Sequence, residues 1–391
     1  MFEGLLQLPT WGYITLGVIL TQISIASVTI YLHRHQAHNA LELHPIISHF
    51  FRFWLWLTTG MHTKEWVAVH RKHHAKCETA EDPHSPVVEG IGKIFFTGVW
   101  FYHKAAQNPE TLERYGKGTP DDFLQRHLYD RFPLLGIFLM LAIDVVLFGW
   151  IGAIIWAVQI GWIPFWAAGV INGIGHFWGY RNYESQDASR NIIPFGLFIG
   201  GEELHNNHHG HASSARLSHK WYELDLGWMY IQALQFIGLA KVKKVAPRSH
   251  VVKDKLSVDL ETVRAVVRNR FYIMKLYAKK VILPTIREAR RGQTSQVQGL
   301  LRRARKLMSR EDIALDSVAE ATIRQARQHS ANLNTVFEFK QQLKQLWQQS
   351  AMNHAKRLER LQVWCVEAEK SGISYLQEFA QSLRGYSLKA A

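Results

Sequence analysis

Cysteine is nearly absent from this chain. Two thiols, Cys77 and Cys365, stand in 391 residues, which excludes a disulfide framework and is too few for an iron–sulfur centre. Charge is just as scarce in parts of the first half. Residues 11–32 (WGYITLGVILTQISIASVTIYL) carry none, and the only acidic or basic residue in 133–179 is Asp144. No basic region precedes the first long apolar run, so a cleavable signal is not expected. The tail lacks acid instead. Residues 241–391 hold 30 Lys and Arg against 13 Asp and Glu, whereas residues 1–240 hold 16 against 19. The mean hydropathy of −0.12 therefore averages an apolar, near-neutral part and a polar, basic one. Histidine splits the other way, with 18 of 21 before residue 241. The expected division is 1–240 and 241–391.

What is present begins with membrane-length runs. The 22 uncharged residues 11–32 are enough to span a bilayer as a helix. The 47 residues 133–179 fit two spans joined near Gly149–Gly152. IISHFFRFWLWLTTGM (46–61) is short for a span and carries His49 and Arg52, which suits an interfacial or re-entrant helix. HRHQAH (33–38) begins where the first span ends. For all the histidine clusters to meet, an even number of crossings must separate them. The basic tail then follows on their side of the membrane, which the positive-inside bias makes cytoplasmic. The expected fold is all-α: an integral membrane bundle of about three spans plus an interfacial helix, a cytoplasmic histidine-lined cap and a C-terminal soluble helical domain.

The histidines recur at one spacing. AVHRKHHAKCE places His70, His73 and His74 at i, i+3, i+4, and GEELHNNHH repeats it with His205, His208 and His209. Such residues share a helix face, so each triplet can converge on one point. His33 and His38 add an i, i+5 pair, with His35 as a competing partner, and His176 lies one turn after Asn172. Nine imidazoles and one amide exceed a single tetrahedral site and suit two metals with open positions. Imidazole ligands need orienting partners. Glu65, Asp82, Asp187, Glu202 and Glu203 are candidates, with Glu202 and Asp82 favoured because they flank the clusters closely. His84, His103 and the other isolated histidines read as packing or surface residues. Cys77 follows a histidine cluster, which leaves a metal role open, but it reads first as an ordinary free thiol. A Glu-rich set with Glu-x-x-His, the soluble di-iron pattern, is missing.

HRHQAH, HRKHH with DPH after it, NGIGHFWGYRNY and GEELHNNHH resemble the histidine boxes of the membrane fatty acid desaturases, in the acyl-CoA Δ9 (stearoyl-CoA type) branch and in bacterial form. The resemblance covers roughly residues 11–240. It implies two irons held by His33, His38, His70, His73, His74, His176, His205, His208 and His209, with Asn172 at a weak or water-mediated position and His35 left out. It places Trp66, in EWVAVHRKHH, near substrate. It implies O2 as co-substrate, a cis double bond at Δ9 of a fatty acyl chain, a bacterial inner-membrane location and membrane lipid as a partner. Two positions depart from the branch. Val69 stands where those enzymes carry an acidic residue near the CoA head group, and Glu203 where they usually have glycine. A cytochrome b5-like HPGG segment is missing, so electrons are expected from a separate ferredoxin-, rubredoxin- or cytochrome b5-like donor with its reductase. The rival readings are a di-iron hydroxylase and a metal-binding membrane protein without redox activity.

The tail keeps apolar residues at helical spacing in TVRAVVRNRFYIMKLYAKKVI (262–282) and NTVFEFKQQLKQLWQQ (334–349), with loops near 283–295 and 371–374. KVKKVAPR (241–248) and LLRRARK (300–306) are basic enough to touch anionic lipid. WCVEAEKSGISYLQEFAQSLRGY (364–386) resembles the C-terminal helices of insertion-sequence transposases over about 60 residues. Without a catalytic carboxylate set, that implies a recruited helical module, and no nucleic acid is expected as a partner.

Overall fold

A computed structural model describes residues 3–247, 249–252, 255–313, 315–349 and 352–388. Arg248, in the first basic run, lies outside the described residues. The chain divides into two compact units, Met1–Arg181 with Asp187–Ala246, and Asn182–Gln186 with Pro247–Ala391. Residues 241–246 thus belong to the first unit, six residues beyond the boundary read from charge. The physical reason is backbone pairing. Leu41–Leu43 and Ala240–Val242 form an antiparallel pair, and the Ala215 amide donates to the Lys244 carbonyl at 2.9 Å.

In the first unit, helix Thr10–Ala26 runs without a break into the π-helical segment Ser27–Ala37. The first histidine box therefore lies on the helix itself, rather than after it. Among the described residues, two helices, Thr10–Ala37 and Trp150–His176, are long and apolar enough to cross a membrane. The expected third span is Pro133–Phe148, only 16 residues, or about 24 Å at 1.5 Å per residue against a hydrocarbon core of about 30 Å. The chain reverses at Gly149, whose φ of 65° suits a residue without a side chain. Trp150–Ile163 follows and continues as the π segment Pro164–Ile171. The return is tight: a Cβ on Gly152 would collide with the Asp144 carbonyl. Trp11, Phe138 and Ile154 are 71, 60 and 51% exposed, so these helices present apolar side chains outward as well as inward.

The run 46–61 becomes helix Pro45–Thr59, which buries Phe51, Leu55 and Trp56 on one face. Arg52 is buried with them and donates to Asp122 at 2.7 Å. Ile25, Ile30, Tyr31, Leu32, Leu41, Ile171, Ile199 and Ile231 fill the core around the first box.

The all-α expectation needs one amendment, because three two-stranded pairs occur, each strand two or three residues long. In the second unit, Ser249–Val251 pairs with Tyr386–Leu388 beside helices Leu260–Arg268, Arg270–Tyr277, Leu283–Ala289, Ser295–Ser309, Ser317–Gln328, Ala331–Gln348, His354–Lys370 and Ser374–Arg384. Val266, Ile273, Tyr277, Leu301, Leu343, Trp364 and Phe379 meet in its core. The loop expected from 283 starts later, because the helical backbone of Ala278–Ile282 runs on without a break through Leu283–Ala289, with Pro284 inside it.

Candidate metal centre

The first box reaches the centre through an unusual backbone. The His38 amide donates to the His33 carbonyl at 3.1 Å, the i to i+5 bond of a π-helix. Residues five apart then lie nearly one above the other, and the His33 and His38 rings sit 4.9 Å apart. His35 turns away, its Nδ1–H donating to the Leu41 carbonyl at 2.9 Å. Arg34, 1% exposed, fixes this segment to the third box. Its guanidinium bridges both Asp225 oxygens (2.9 and 3.2 Å) and the carbonyls of Gly200 and Ala215. Gly201, with φ of 101°, has no room for a Cβ beside the Asp225 carboxylate.

Each HxxHH triplet divides between two groups, so the expectation that a triplet converges on one point is wrong. On helix Thr63–Lys76, His70 and His74 turn to one group and His73 to the other. On the short helix His205–Gly210, the division is reciprocal: His208 joins the first group, His205 and His209 the second. His33, His38, His70, His74 and His208 bring five ring nitrogens within 4.8 Å of one another. Their Nε2 atoms meet at 2.8 Å (His38–His70), 2.8 Å (His74–His208) and 3.1 Å (His33–His208). In the second group, His176 and His205 meet through Nε2 at 2.9 Å. The His73 and His209 rings lie 4.9 Å from that of His176. The two groups adjoin, with His74 stacked on His209 at 4.4 Å. Two teeth of one helix face, i and i+4, take one site and the tooth between them takes the other.

Carboxylates hold the rings from behind. Glu202 Oε1 accepts from His33 Nδ1 at 2.8 Å, Asp82 from His73 at 3.0 Å, Glu78 from His176 at 2.8 Å and Asp187 from His209 at 3.2 Å. Burial alone would raise the Glu202 carboxyl, but His33 and Arg34 beside it hold it below its ordinary value. Asp82, facing His73, is depressed in the same way against the cost of burial. Glu78 was not among the residues singled out from the sequence. It sits at a left-handed backbone position, φ 63°, uncommon for a residue with a side chain. From there it also accepts from Ser85 Oγ and the Ala188 amide. The only local signal was its place directly behind the second box. Glu203 orients no histidine. It clamps a loop by accepting from the amides of Phe198, Ile199 and Gly201, and burial pushes its carboxyl up to about 7.

This donor set fits metal. Burial, reinforced by neighbouring imidazoles, holds His38, His70, His74, His205 and His208 well below the ordinary histidine range. They are neutral, with a lone pair to give, which ligation requires. Where Nδ1 donates to a carboxylate, Nε2 is left as acceptor and points inward. His209 Nε2 is buried with no hydrogen-bond partner. Inward lone pairs about 3 Å apart and four carboxylates behind them call for positive charge in the middle, and two divalent cations match it.

A cavity of about 530 Å³ adjoins the centre, with Trp66, Asn172, Glu65, Val99, Tyr102 and Ile163 among its walls. Trp66 belongs to both places, since its ring stacks on His70 at 4.9 Å and 11°. Asn172 lies on the cavity wall one turn before His176. Glu65 is likewise a wall residue, its carboxyl raised by burial.

Residues 9–236 match the family model described as fatty acid desaturase. The chain belongs to the fatty acid desaturase family. Delta-9 acyl-lipid desaturase 1 of Arabidopsis thaliana is 29% identical over 246 residues, 61% of this chain and 78% of that protein. Delta-9 desaturase-like 3 protein of the same plant is 31% identical, over 59% and 76%. Acyl-CoA C20 Delta5-desaturase of Anemone leveillei is 29% identical, over 60% and 73%. Val69 is buried, at 2% exposure. Residues 240–389 match a second model, described as transposase, a wider stretch than the helices whose resemblance is legible in the sequence.

Proposed function

We propose that this desaturase inserts a cis double bond at Δ9 of a saturated fatty acyl chain, carried on coenzyme A or a lipid, using O2. The observation that carries the reading is the pair of histidine groups, each split across both HxxHH triplets, beside a cavity that shares Trp66 with them. His33, His38, His70, His74 and His208 would hold one iron, and His73, His176, His205 and His209 the other. Two such irons supply O2 activation and the oxidising power that removes one hydrogen from each of two adjacent methylenes.

The chain's own residues do the rest. Glu202, Asp82, Glu78 and Asp187 each hold an Nδ1 proton, which fixes the tautomer and ring plane of the imidazole in front. Val99, Ile163 and the Trp66 face give the cavity an apolar wall that excludes water and positions a flexible chain, the contribution expected of such a site. Asn172, one turn before His176 in the chain, offers an amide on the cavity wall. The reading includes a separate ferredoxin-, rubredoxin- or cytochrome b5-like electron donor. It also includes a bacterial inner-membrane location, with the histidines and the helical tail on the cytoplasmic side. Residues 1–240 act as the desaturase domain and 241–391 as a basic helical appendage.

Gas chromatography–mass spectrometry of total fatty acids tests this, comparing cells that make the chain with cells that make His208→Ala. A new monounsaturated acid, absent with the variant and placed at Δ9 by fragmentation, is the expected result. A hydroxy acid would instead make the protein a hydroxylase, and no product from iron-loaded membranes with a compatible donor would leave metal binding alone.

A further inference from the structure

The two histidine groups are unequal. The first holds five imidazoles and the second four, yet the second has another soft donor at its edge. Cys77 follows helix Thr63–Lys76, and its backbone leaves helical geometry there, with φ −48° and ψ 131°. That turn carries Sγ back over the last turn of the helix, 3.8 Å from His73 Nε2. The donor atoms of His73, Cys77, His176 and His209 all lie within 4.8 Å of one another. We propose that Cys77 Sγ is a ligand of the second metal, beside His73, His176 and His209.

The distances suit ligation. Metal–nitrogen and metal–sulfur bonds of about 2.0–2.1 and about 2.3 Å, at roughly tetrahedral to trigonal angles, put two ligands on one ion about 3.5–3.8 Å apart. The alternatives are a thiol donating a hydrogen bond to Glu78 Oε1 at 4.0 Å or to His73 Nε2 at 3.8 Å, which is open because Nδ1 faces Asp82. Either bond would satisfy at most one ring nitrogen. It would leave His209 Nε2, on a side chain 2% exposed, buried and unpartnered. A cation shared by the four donors satisfies them all. Glu78, Asp82 and Asp187 stand around the same group, so a bare thiolate there would be repelled. Ligation is therefore coupled to the metal: the ion arrives, the S–H proton leaves to solvent and the sulfur binds.

The proposal rests on the two-metal reading above. Its test uses the full-length chain in detergent, loaded with Co2+ and observed by absorption spectroscopy. Two cobalts per chain should bind and give a near-ultraviolet thiolate-to-cobalt charge-transfer band. The band should vanish in Cys77→Ser and persist in Cys365→Ala, while Cys77→Ser keeps the visible bands of nitrogen-ligated cobalt. Iron-edge X-ray absorption of the unaltered protein, which needs no variant to fold, should show a sulfur scatterer at about 2.3 Å. Two bound cobalts with no sulfur band, or a band that survives Cys77→Ser, would overturn the ligand alone. Fewer than two cobalts, with no sulfur band, would overturn the ligand and the two-metal reading together.

Discussion

The two units end their helices differently. In the second, Asp259, Thr294, Asp316, Ser330 and Asn353 each stand at a helix start and accept from the backbone amide three residues on. In the first, the apolar helices begin at Pro9, Phe132 and Gly149 without any side-chain cap. Capped, amphipathic helices are what water demands, since each start leaves unsatisfied N–H groups that a side chain must take. Uncapped helices that are apolar on all sides draw their stability from an apolar surrounding, where backbone groups are satisfied within the helix. Shorter helices of the first unit are capped, by Ser85, Asn108 and Asp225, so the contrast belongs to its apolar helices. The buried polar side chains of that unit gather instead at the histidine centre and the carboxylates behind it.

The sharpest way to break the comparison is in the centre. His74→Ala removes a first-group nitrogen, and desaturated product should fall to background, with metal content dropping too; product analysis and metal assay of purified protein check both. The tail should fail on its own terms. Trp364 packs against Phe339 and Phe379 and donates Nε1–H to the Phe339 carbonyl at 3.0 Å. Trp364→Ala should cost about 3–5 kcal/mol of the tail's stability, read by denaturant unfolding, while iron content stays unchanged. Lost iron in that variant would mean that the two units are not independent.

What the sequence made legible, and what it hid, follows the same line. The boxes stood out because i, i+3, i+4 is a property of a single helix. Their division between two groups was hidden, since it depends on which partner helix each tooth meets. The pairing of His33 with His38 needs π geometry, which spacing alone does not reveal. Glu202 and Asp82 were found by nearness in the chain. Glu78 lies nearer still to the second box and was not singled out; its partner is His176, 98 residues away, and it reaches it from a backbone position that few side chains adopt. In the tail, periodicity showed helices, but a loop was expected from 283 where Leu283–Ala289 continues the helix.

Two smaller effects sharpen the contrast. Glu78→Gln keeps the shape but loses the charge behind His176, and iron affinity should fall roughly 10–100-fold, measured by chelator competition. In the tail, Asp259 accepts from the Thr262 amide at 2.8 Å. Burial, which would raise its carboxyl, is outweighed by Lys255 and that amide, leaving it at about 2 against an ordinary 3.8. A depressed carboxyl stabilises the fold above its unfolded value and loses that contribution as pH falls. The Asp259 share should therefore be present above about pH 4 and fade towards pH 2. Asp259→Ala should cost about 1 kcal/mol at neutral pH and flatten that part of the acid profile, followed by circular dichroism.

The central claim is that the two triplets are shared between two metals, and iron stoichiometry tests it most directly. Full-length protein purified in detergent and loaded anaerobically with Fe2+ should bind two irons per chain. His205→Ala, which removes a nitrogen only from the second group, should bring the count towards one. A single iron in the unaltered chain, or two irons retained undiminished by His205→Ala, would contradict the account.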